Sequence, residues 1–208
     1  LRQGALYDLL DREHLQTDMR ATTVQRLSRK FDVDATQADR VSRVACVLFG
    51  QMLTGMAESQ AARLQRKVDW AARLHEIGTQ ISHSDYHKHG AYILGNSDAP
   101  GFSLSELQRL GQLVMGHRGK LAKLEIDYND VTFVQQLLAL RLAVLLCHAR
   151  RDPDLKGLTV ACNLNTPRRV RISLRAGWAE AWPQSAHLLR EEVKAWQRTP
   201  WMLQVLNA

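Results

Sequence analysis

The chain has 208 residues, of which 45% are hydrophobic and 24% charged, and its formal net charge is +7 with a pI near 9.7. This composition is typical of a globular protein, and the length allows one large domain or one domain with a small appendage. No apolar run approaches the roughly 20 residues that cross a bilayer, so no transmembrane segment is expected within these 208 residues.

The first residues predict a fragment of a longer protein. The chain begins with Leu1 instead of an initiator Met, and residues 1–10 are already apolar and periodic. We therefore expect that an N-terminal part of the parent protein is missing. The lack of a targeting signal then says nothing about that parent.

The first three quarters of the sequence predict helices. Asp34 is expected to cap a helix, because its side chain can accept a hydrogen bond from a free N–H of the first turn. The spacing of apolar residues predicts further helices over residues 61–77, 84–96 and 131–150. The sequence Ser-Leu-Ser-Glu at residues 103–106 fits the capping box that opens another helix.

The pattern changes after residue 152. Apolar and polar residues alternate over residues 158–164 and 170–174, which predicts a small hairpin. A helix near residues 183–198 and a short strand at residues 201–205 are expected to follow it.

The sequence therefore predicts a mainly α protein in two parts. Residues 1–152 are expected to form an all-helical domain, and residues 153–208 a small α/β subdomain made of a hairpin plus a helix. No internal repeat suggests another division.

Histidines are concentrated in the middle of the chain. His75, His83, His87 and His89 lie close together in the sequence, and Glu76 is next to the first of them. Imidazoles are common metal ligands, and they carry positive charge when protonated. The cluster therefore predicts either a metal site or a pocket for an anion.

Positive charge is concentrated between Arg141 and Arg175. This stretch holds eight Lys or Arg residues against two Asp residues. A basic face of this kind attracts polyanions at long range. A solvated basic surface without a ligand is the alternative interpretation.

The cysteines indicate a reducing environment. Cys46, Cys147 and Cys162 are odd in number, far apart in sequence and without metal-ligand spacing. Buried reduced thiols of this kind are typical of a cytoplasmic protein. We expect a cytoplasmic location, and a peripheral association with the inner membrane is left open.

Short motifs over most of the first 150 residues carry a family resemblance. They are GALYDLL (4–10), QADRV (37–41), LHEIG (74–78), ISH (81–83), YHKH (86–89), GHR (116–118) and LRLA (140–143). Together they resemble the C-terminal domain of the Ppx/GppA exopolyphosphatase and guanosine pentaphosphate phosphohydrolase family, which is a degenerate HD-type helical domain. The tail, with Gly177, Trp178 and Trp201, also resembles the end of that family.

The resemblance implies a binding domain of an enzyme. In this family, hydrolysis takes place in two N-terminal domains of the actin-like fold with Mg²⁺, and their motifs are absent from this sequence. The C-terminal domain is associated with binding long polyphosphate and with forming a homodimer. We therefore expect a polyphosphate-binding and dimerisation domain of an exopolyphosphatase, which needs no cofactor of its own. The domain of a guanosine pentaphosphate phosphohydrolase and a purely structural dimerisation module are the alternatives.

The sequence departs from a working HD metal site. Such a site uses a His, a His-Asp pair, further histidines and a late Asp. The resemblance places Gln37 at the first His, Glu76 at the Asp of the pair and Val144 at the late Asp, so His75 alone remains of these ligands. A hard cation that activates water for attack on phosphorus needs carboxylate oxygens. We therefore expect neither a metal site nor catalysis in this chain.

The histidines and nearby cations are instead expected to bind polyphosphate. A helix that starts near residue 84 would point free N–H groups and its dipole towards an anion beside His83. The predicted polyphosphate-binding residues are His83, His87, Lys88, His89, His117, Arg118, Lys120, Arg141, His148 and Arg150.

Arg141 carries a specific expectation within this set. It interrupts a run of leucines, so a partly buried guanidinium there needs an anionic partner, which is either phosphate or Glu76. Arg141 and His148 are seven residues apart and are expected to share one face of the helix predicted over residues 131–150.

Nucleic acid is the competing polyanion. Proteins that bind single strands place aromatic side chains between basic ones so that bases can stack. Aromatic residues make up 6% of the chain, and the basic stretch from Arg141 to Arg175 contains none. Polyphosphate is therefore the favoured ligand, and its binding should weaken steeply with salt because counterions are released.

Overall fold

The computed structural model describes residues 19–53, 55–165 and 168–207, so the motif at residues 4–10 lies outside the described residues. The helices are α1 (19–30), α2 (Ala35–Met52), α3 (Glu58–Arg73), α4 (Tyr86–Asn96), α5 (Leu104–Gly116), α6 (Val131–Leu146), α7 (Trp178–Ala181) and α8 (Pro183–Trp196). The strands are β1 (Leu158–Asn163), β2 (Arg168–Leu174) and β3 (Trp201–Leu206). The predicted fold class is confirmed, since the protein is mainly α with one small sheet. None of the helices in these ranges is long and apolar enough to cross a membrane.

Helix α6 is the central element of the helical part. It contacts α2, α3, α5 and α8, and residues on all of its faces are buried, Leu137, Leu138 and Leu140 among them. A helix that is apolar all round is stable only when other elements cover it, as they do here. Asp130 caps the helix by accepting a hydrogen bond from the N–H of Phe133 at 2.9 Å.

The two predicted N-terminal caps are confirmed. The Asp34 carboxylate accepts a hydrogen bond from the backbone N–H of Gln37 at 3.1 Å, where α2 begins. The Ser103 hydroxyl accepts from the N–H of Glu106 at 3.2 Å, and the Glu106 carboxylate accepts from the N–H of Ser103 at 3.0 Å. Both helices therefore begin where a side chain satisfies a free N–H of the first turn.

Three helices end near a histidine that binds a carbonyl three residues earlier. The pairs are His75 Nδ1 with Ala72 O (2.6 Å) after α3, His117 Nδ1 with Val114 O (2.6 Å) after α5, and His148 Nδ1 with Leu145 O (2.8 Å) after α6. Each imidazole binds a carbonyl in the last turn of its helix, where backbone partners are fewer, and Leu145 O also accepts a backbone N–H. Helices α3 and α6 end at Arg73 and Leu146, so the predicted ends at residues 77 and 150 are wrong.

Helix α4 begins at Tyr86, two residues after the predicted start. Asp85 has a φ of 55°, in the left-handed region, so it cannot be part of a right-handed helix. His83 consequently lies in the turn before α4, at the protein surface.

The sheet has the order β1-β2-β3. Strands β1 and β2 are antiparallel, with Val160 opposite Ile172, which confirms the predicted hairpin. Strand β3 confirms the predicted third strand and pairs in parallel with β2, placing Leu203 opposite Val170. Helices α7 and α8 form the crossover that a parallel pair requires.

One hydrophobic core joins the helices and the sheet. Trp178, Trp196 and Trp201 are almost completely buried and belong to the same cluster of apolar side chains as Leu48 of α2 and Leu138 of α6. The division between residues 152 and 153 stays a prediction.

Candidate functional site

The predicted histidine cluster forms where α3 and α5 end and α4 begins. His75 and His117 pack edge to face, with ring centroids 5.4 Å apart, and the His87 ring lies 6.3 Å from that of His117. All three side chains are at least nine-tenths buried. Tyr86 completes the cluster, with its ring 5.4 Å from His117. The fold therefore brings together three of the histidines and adds a tyrosine.

Hydrogen bonds fix the protonation of two of these rings. A carbonyl can only accept, so His75 and His117 must each carry a proton on the Nδ1 that faces Ala72 O or Val114 O. Their Nε2 atoms are then bare acceptors when the rings are neutral. The Tyr86 hydroxyl lies 3.3 Å from His117 Nε2 and can donate to it. His117 is thus held at both nitrogens.

The buried imidazoles favour the neutral form. Burial lowers the pKa of His75 and lowers that of His117 well below its usual value, and the neighbouring His75 depresses the pKa of His117 further. Burial and the nearby Arg118 also lower the pKa of His87. These three rings are therefore uncharged near neutral pH, and they offer a phosphate hydrogen bonds at most, not positive charge.

The residues that the resemblance aligns with HD metal ligands form other contacts. The Gln37 amide donates to Cys147 O at 3.0 Å, and Glu76 lies 3.5 Å from an Arg150 nitrogen. No group of three or more His, Cys, Asp or Glu side chains in the described parts of the chain could hold a metal ion. An open cleft of about 920 Å³ lies elsewhere, between α1, α2 and α3.

Two exposed cations, Arg118 and Lys120, lie beside the buried histidine cluster and form a cationic rim. The Arg118 guanidinium is 4.6 Å from the centre of the Tyr86 ring, a favourable cation–π arrangement. Lys120 follows two residues later and is also exposed. Within the described ranges, neither Arg118 nor Lys120 forms an ion pair, whereas Lys88 pairs with Asp85 at 2.9 Å.

Arg141 is buried, and its partner is neither of the two that the sequence predicts, phosphate or Glu76. Its Nε and Nη2 lie 2.5 and 2.8 Å from the two carboxylate oxygens of Glu192, and its Nη1 donates to Gly116 O at 2.7 Å. Glu192 also accepts from the Trp196 indole at 2.7 Å. Because its donors are satisfied inside the protein, Arg141 is not available to an external anion.

The other predicted residues are spread over the surface. His148 is half-buried in the turn after α6, so it does not continue the helix face of Arg141 as expected. Arg150 lies farther along and pairs with Asp34 at 2.5 Å. His83 is exposed and His89 is half-buried. Of the ten predicted residues, the structure therefore brings His87 and His117 together in the buried cluster, places Arg118 and Lys120 in the cationic rim and buries Arg141, while the other five belong to neither group.

Sequence reasoning missed three residues that organise this region. Tyr86 belongs to the YHKH motif, yet nothing in the sequence indicates that it contacts His117 and Arg118. Glu192 and Trp196 could not be found from the sequence, because Glu192 reaches Arg141 from a helix about 50 residues farther along the chain, where Trp196 donates to Glu192.

The buried histidines predict a specific pH dependence of stability. The unfolded chain binds protons at these rings below about pH 6.5, and the folded protein does not. The free energy of unfolding should therefore fall as the pH drops from 7.5 to 5.5. The slope should be at most about 1.4 kcal/mol per pH unit for each ring. Urea unfolding at several pH values measures this slope.

Two variants separate the buried rings from the exposed ones. Replacing His117 with Gln should reduce the pH slope, because the unfolded chain then has one fewer ring to protonate. His83→Gln, at an exposed position, is the matched control. Equal stability at pH 7.5 and 5.5 would contradict the assignment of neutral rings.

Comparison with known proteins identifies the family. Residues 19–195 match the family described as Ppx/GppA phosphatase, domain III. Relatives named guanosine-5'-triphosphate,3'-diphosphate pyrophosphatase occur in Pseudoalteromonas translucida (strain TAC 125) and Vibrio atlanticus (strain LGP32). The first is 31% identical over 98% of this chain and 40% of its own length, and the second is 32% identical over 99% and 41%.

The chain matches only part of its relatives. The chain spans about two fifths of the length of the curated relatives, and the family match covers most of the chain. The resemblance carried by the histidine-containing motifs is thereby confirmed. The chain belongs to the Ppx/GppA phosphatase family, and the part of that family that it matches is domain III.

Proposed function

We propose that this chain is a non-catalytic domain that binds polyphosphate for a longer phosphatase. The observation that carries this proposal is the exposed Arg118, held over the Tyr86 ring beside Lys120, with no carboxylate of the described residues paired to either cation. An unpaired cation fixed in one orientation suits an anionic ligand, because less conformational entropy is lost on binding.

Inorganic polyphosphate fits the rim better than other anions. It carries roughly one negative charge per phosphate and no apolar or aromatic group, so clustered cations and backbone N–H groups must supply its affinity. The rim offers Arg118, Lys120 and the start of α4, where the helix dipole favours negative charge. The neutral histidines beneath support this rim and are not themselves its source of charge.

The reaction of the longer protein is a separate part of the proposal. The names of the relatives favour guanosine-5'-triphosphate,3'-diphosphate as its substrate. Hydrolysis of inorganic polyphosphate is the alternative. We assign the chemistry, the Mg²⁺ it uses and the carboxylates that bind this ion to domains outside this chain. The homodimer implied by the family resemblance remains part of the proposal.

Replacing Arg118 with Ala is expected to weaken polyphosphate binding by about tenfold, or about 1.4 kcal/mol. The change removes a charge-assisted hydrogen bond and leaves the core intact, because the Arg118 side chain is exposed. Calorimetric titration of the 208-residue chain with long-chain polyphosphate measures the loss.

The matched control is Arg190→Ala, which removes an equally exposed guanidinium from α8. It should change the affinity little. Equal losses from the two variants would mean diffuse attraction to a basic protein, and the proposed site would be wrong.

A further inference from the structure

One face of the small sheet is open to solvent. Alternate side chains of the strands point into the core, and those between them point outwards. The strand register places the outward residues in three rows across the sheet. The open sheet face consists of Thr159, Ala161 and Asn163 of β1, Arg169, Arg171 and Ser173 of β2, and Met202, Gln204 and Leu206 of β3.

The charge on the open sheet face has one sign. Arg169 and Arg171 lie on the central strand, and the face contains no carboxylate. In the described parts of the chain, neither arginine forms an ion pair, and the Nε atom of Arg169 is buried without a hydrogen-bond partner. Guanidinium groups without an ion-pair partner suit carboxylates, which they can bind through two parallel hydrogen bonds.

Apolar side chains indicate that this acceptor belongs to a protein. Met202 and Leu206 are each 42% exposed and flank the two arginines on the edge strand. Arginine and methionine are enriched at protein interfaces, whereas Lys, Asp and Glu are depleted there, and none of these three occurs on this face. The face has no aromatic side chain on which a nucleobase could stack. Polyphosphate would leave Met202 and Leu206 in water.

The size of the face indicates a partner in the same polypeptide. A stable complex between separate proteins buries about 20–30 residues on each side, and the open sheet face has far fewer. A tethered partner needs a smaller surface, because the linker supplies a high effective concentration. Relatives are about two and a half times as long as this chain, since it spans about 40% of their length.

We propose that the open sheet face docks an acidic, partly apolar surface of another domain of the same polypeptide. The carboxylates of that surface pair with Arg169 and Arg171, and its apolar side chains cover Met202 and Leu206. This inference rests on the proposed function in one respect, namely that the chain is part of a longer phosphatase.

Hydroxyl-radical oxidation of methionine tests the docking. Met202 and Met19 are similarly exposed in this chain, so both should react at comparable rates in the 208-residue protein. In the full-length polypeptide, a docked population of about 90% should slow the oxidation of Met202 by about tenfold. Arg171→Glu should restore the fast rate in the full-length protein, because it places like charges together. The control Arg190→Glu on α8 should leave the oxidation of Met202 slow.

Three outcomes contradict the docking proposal. Unchanged oxidation of Met202 in the full-length protein means that the face stays open. Protection that rises with protein concentration means that a second copy covers it. Protection that survives Arg171→Glu means that the arginines do not bind the partner. Failure of the 208-residue chain to bind polyphosphate, with Met202 still protected, would contradict the proposed function and leave the docking intact.

Discussion

Replacing Arg141 with Met is expected to destabilise the protein by about 3–5 kcal/mol. The guanidinium forms two hydrogen bonds to Glu192, and both side chains are at least nine-tenths buried. Removing the cation leaves a carboxylate in the core with only the Trp196 indole as a donor. The carbonyl of Gly116 also loses its side-chain donor. Urea unfolding at pH 7.5 measures the loss.

The double variant Arg141→Met, Glu192→Met is the matched control. It removes both charges, so no buried ion is left without a partner, and much of the stability should return. The coupling between the two positions should then amount to several kcal/mol in a double-mutant cycle. A loss below about 1 kcal/mol for the single variant would show that the pair is not buried as described.

Replacing Gly78 with Ala is expected to destabilise the protein by about 3 kcal/mol or more. A Cβ atom at this position would lie 2.1 Å from Tyr86 O and 2.5 Å from the backbone N of Gly90. Both contacts are with backbone, which cannot rotate away, so the start of α4 would have to move. Since Tyr86 and His87 begin that helix, the histidine cluster should open as well.

Gly95 provides the matched control within the same helix. No atom lies within 4 Å of a Cβ built there, so Gly95→Ala should stabilise α4 by up to about 1 kcal/mol through helix propensity. Thermal unfolding of the two variants compares them directly. If Gly78→Ala is as stable as the parent chain, the close approach of the 74–80 turn to α4 is wrong.

Local chemistry explains which parts of the fold could be predicted from the sequence. The caps at Asp34 and Ser103 and the hairpin around residue 165 depend on residues a few positions apart, and all three are confirmed. Helices α3 and α6 end just before His75 and His148, whose imidazoles bind helix carbonyls. Apolar spacing alone does not reveal such a bond, so both helices were predicted too long.

The site was harder to predict because long-range packing decides its charge. The sequence placed His87 and His117 in a cationic lining, but burial lowers the pKa of both. Arg141 was expected to meet phosphate or Glu76, and a helix from the far end of the chain supplies Glu192 instead. The sequence contains no signal for either outcome, since both depend on which helices pack together.

Calorimetric titration of the 208-residue chain with long-chain polyphosphate, at two salt concentrations, tests the central claim most directly. We expect saturable binding that weakens steeply as salt is raised, because each neutralised phosphate releases a counterion. The polyphosphate should be recovered intact, since no metal-assisted hydrolysis is expected from this chain. Absence of binding at near-physiological salt, or release of phosphate that His75→Ala abolishes, would contradict the account.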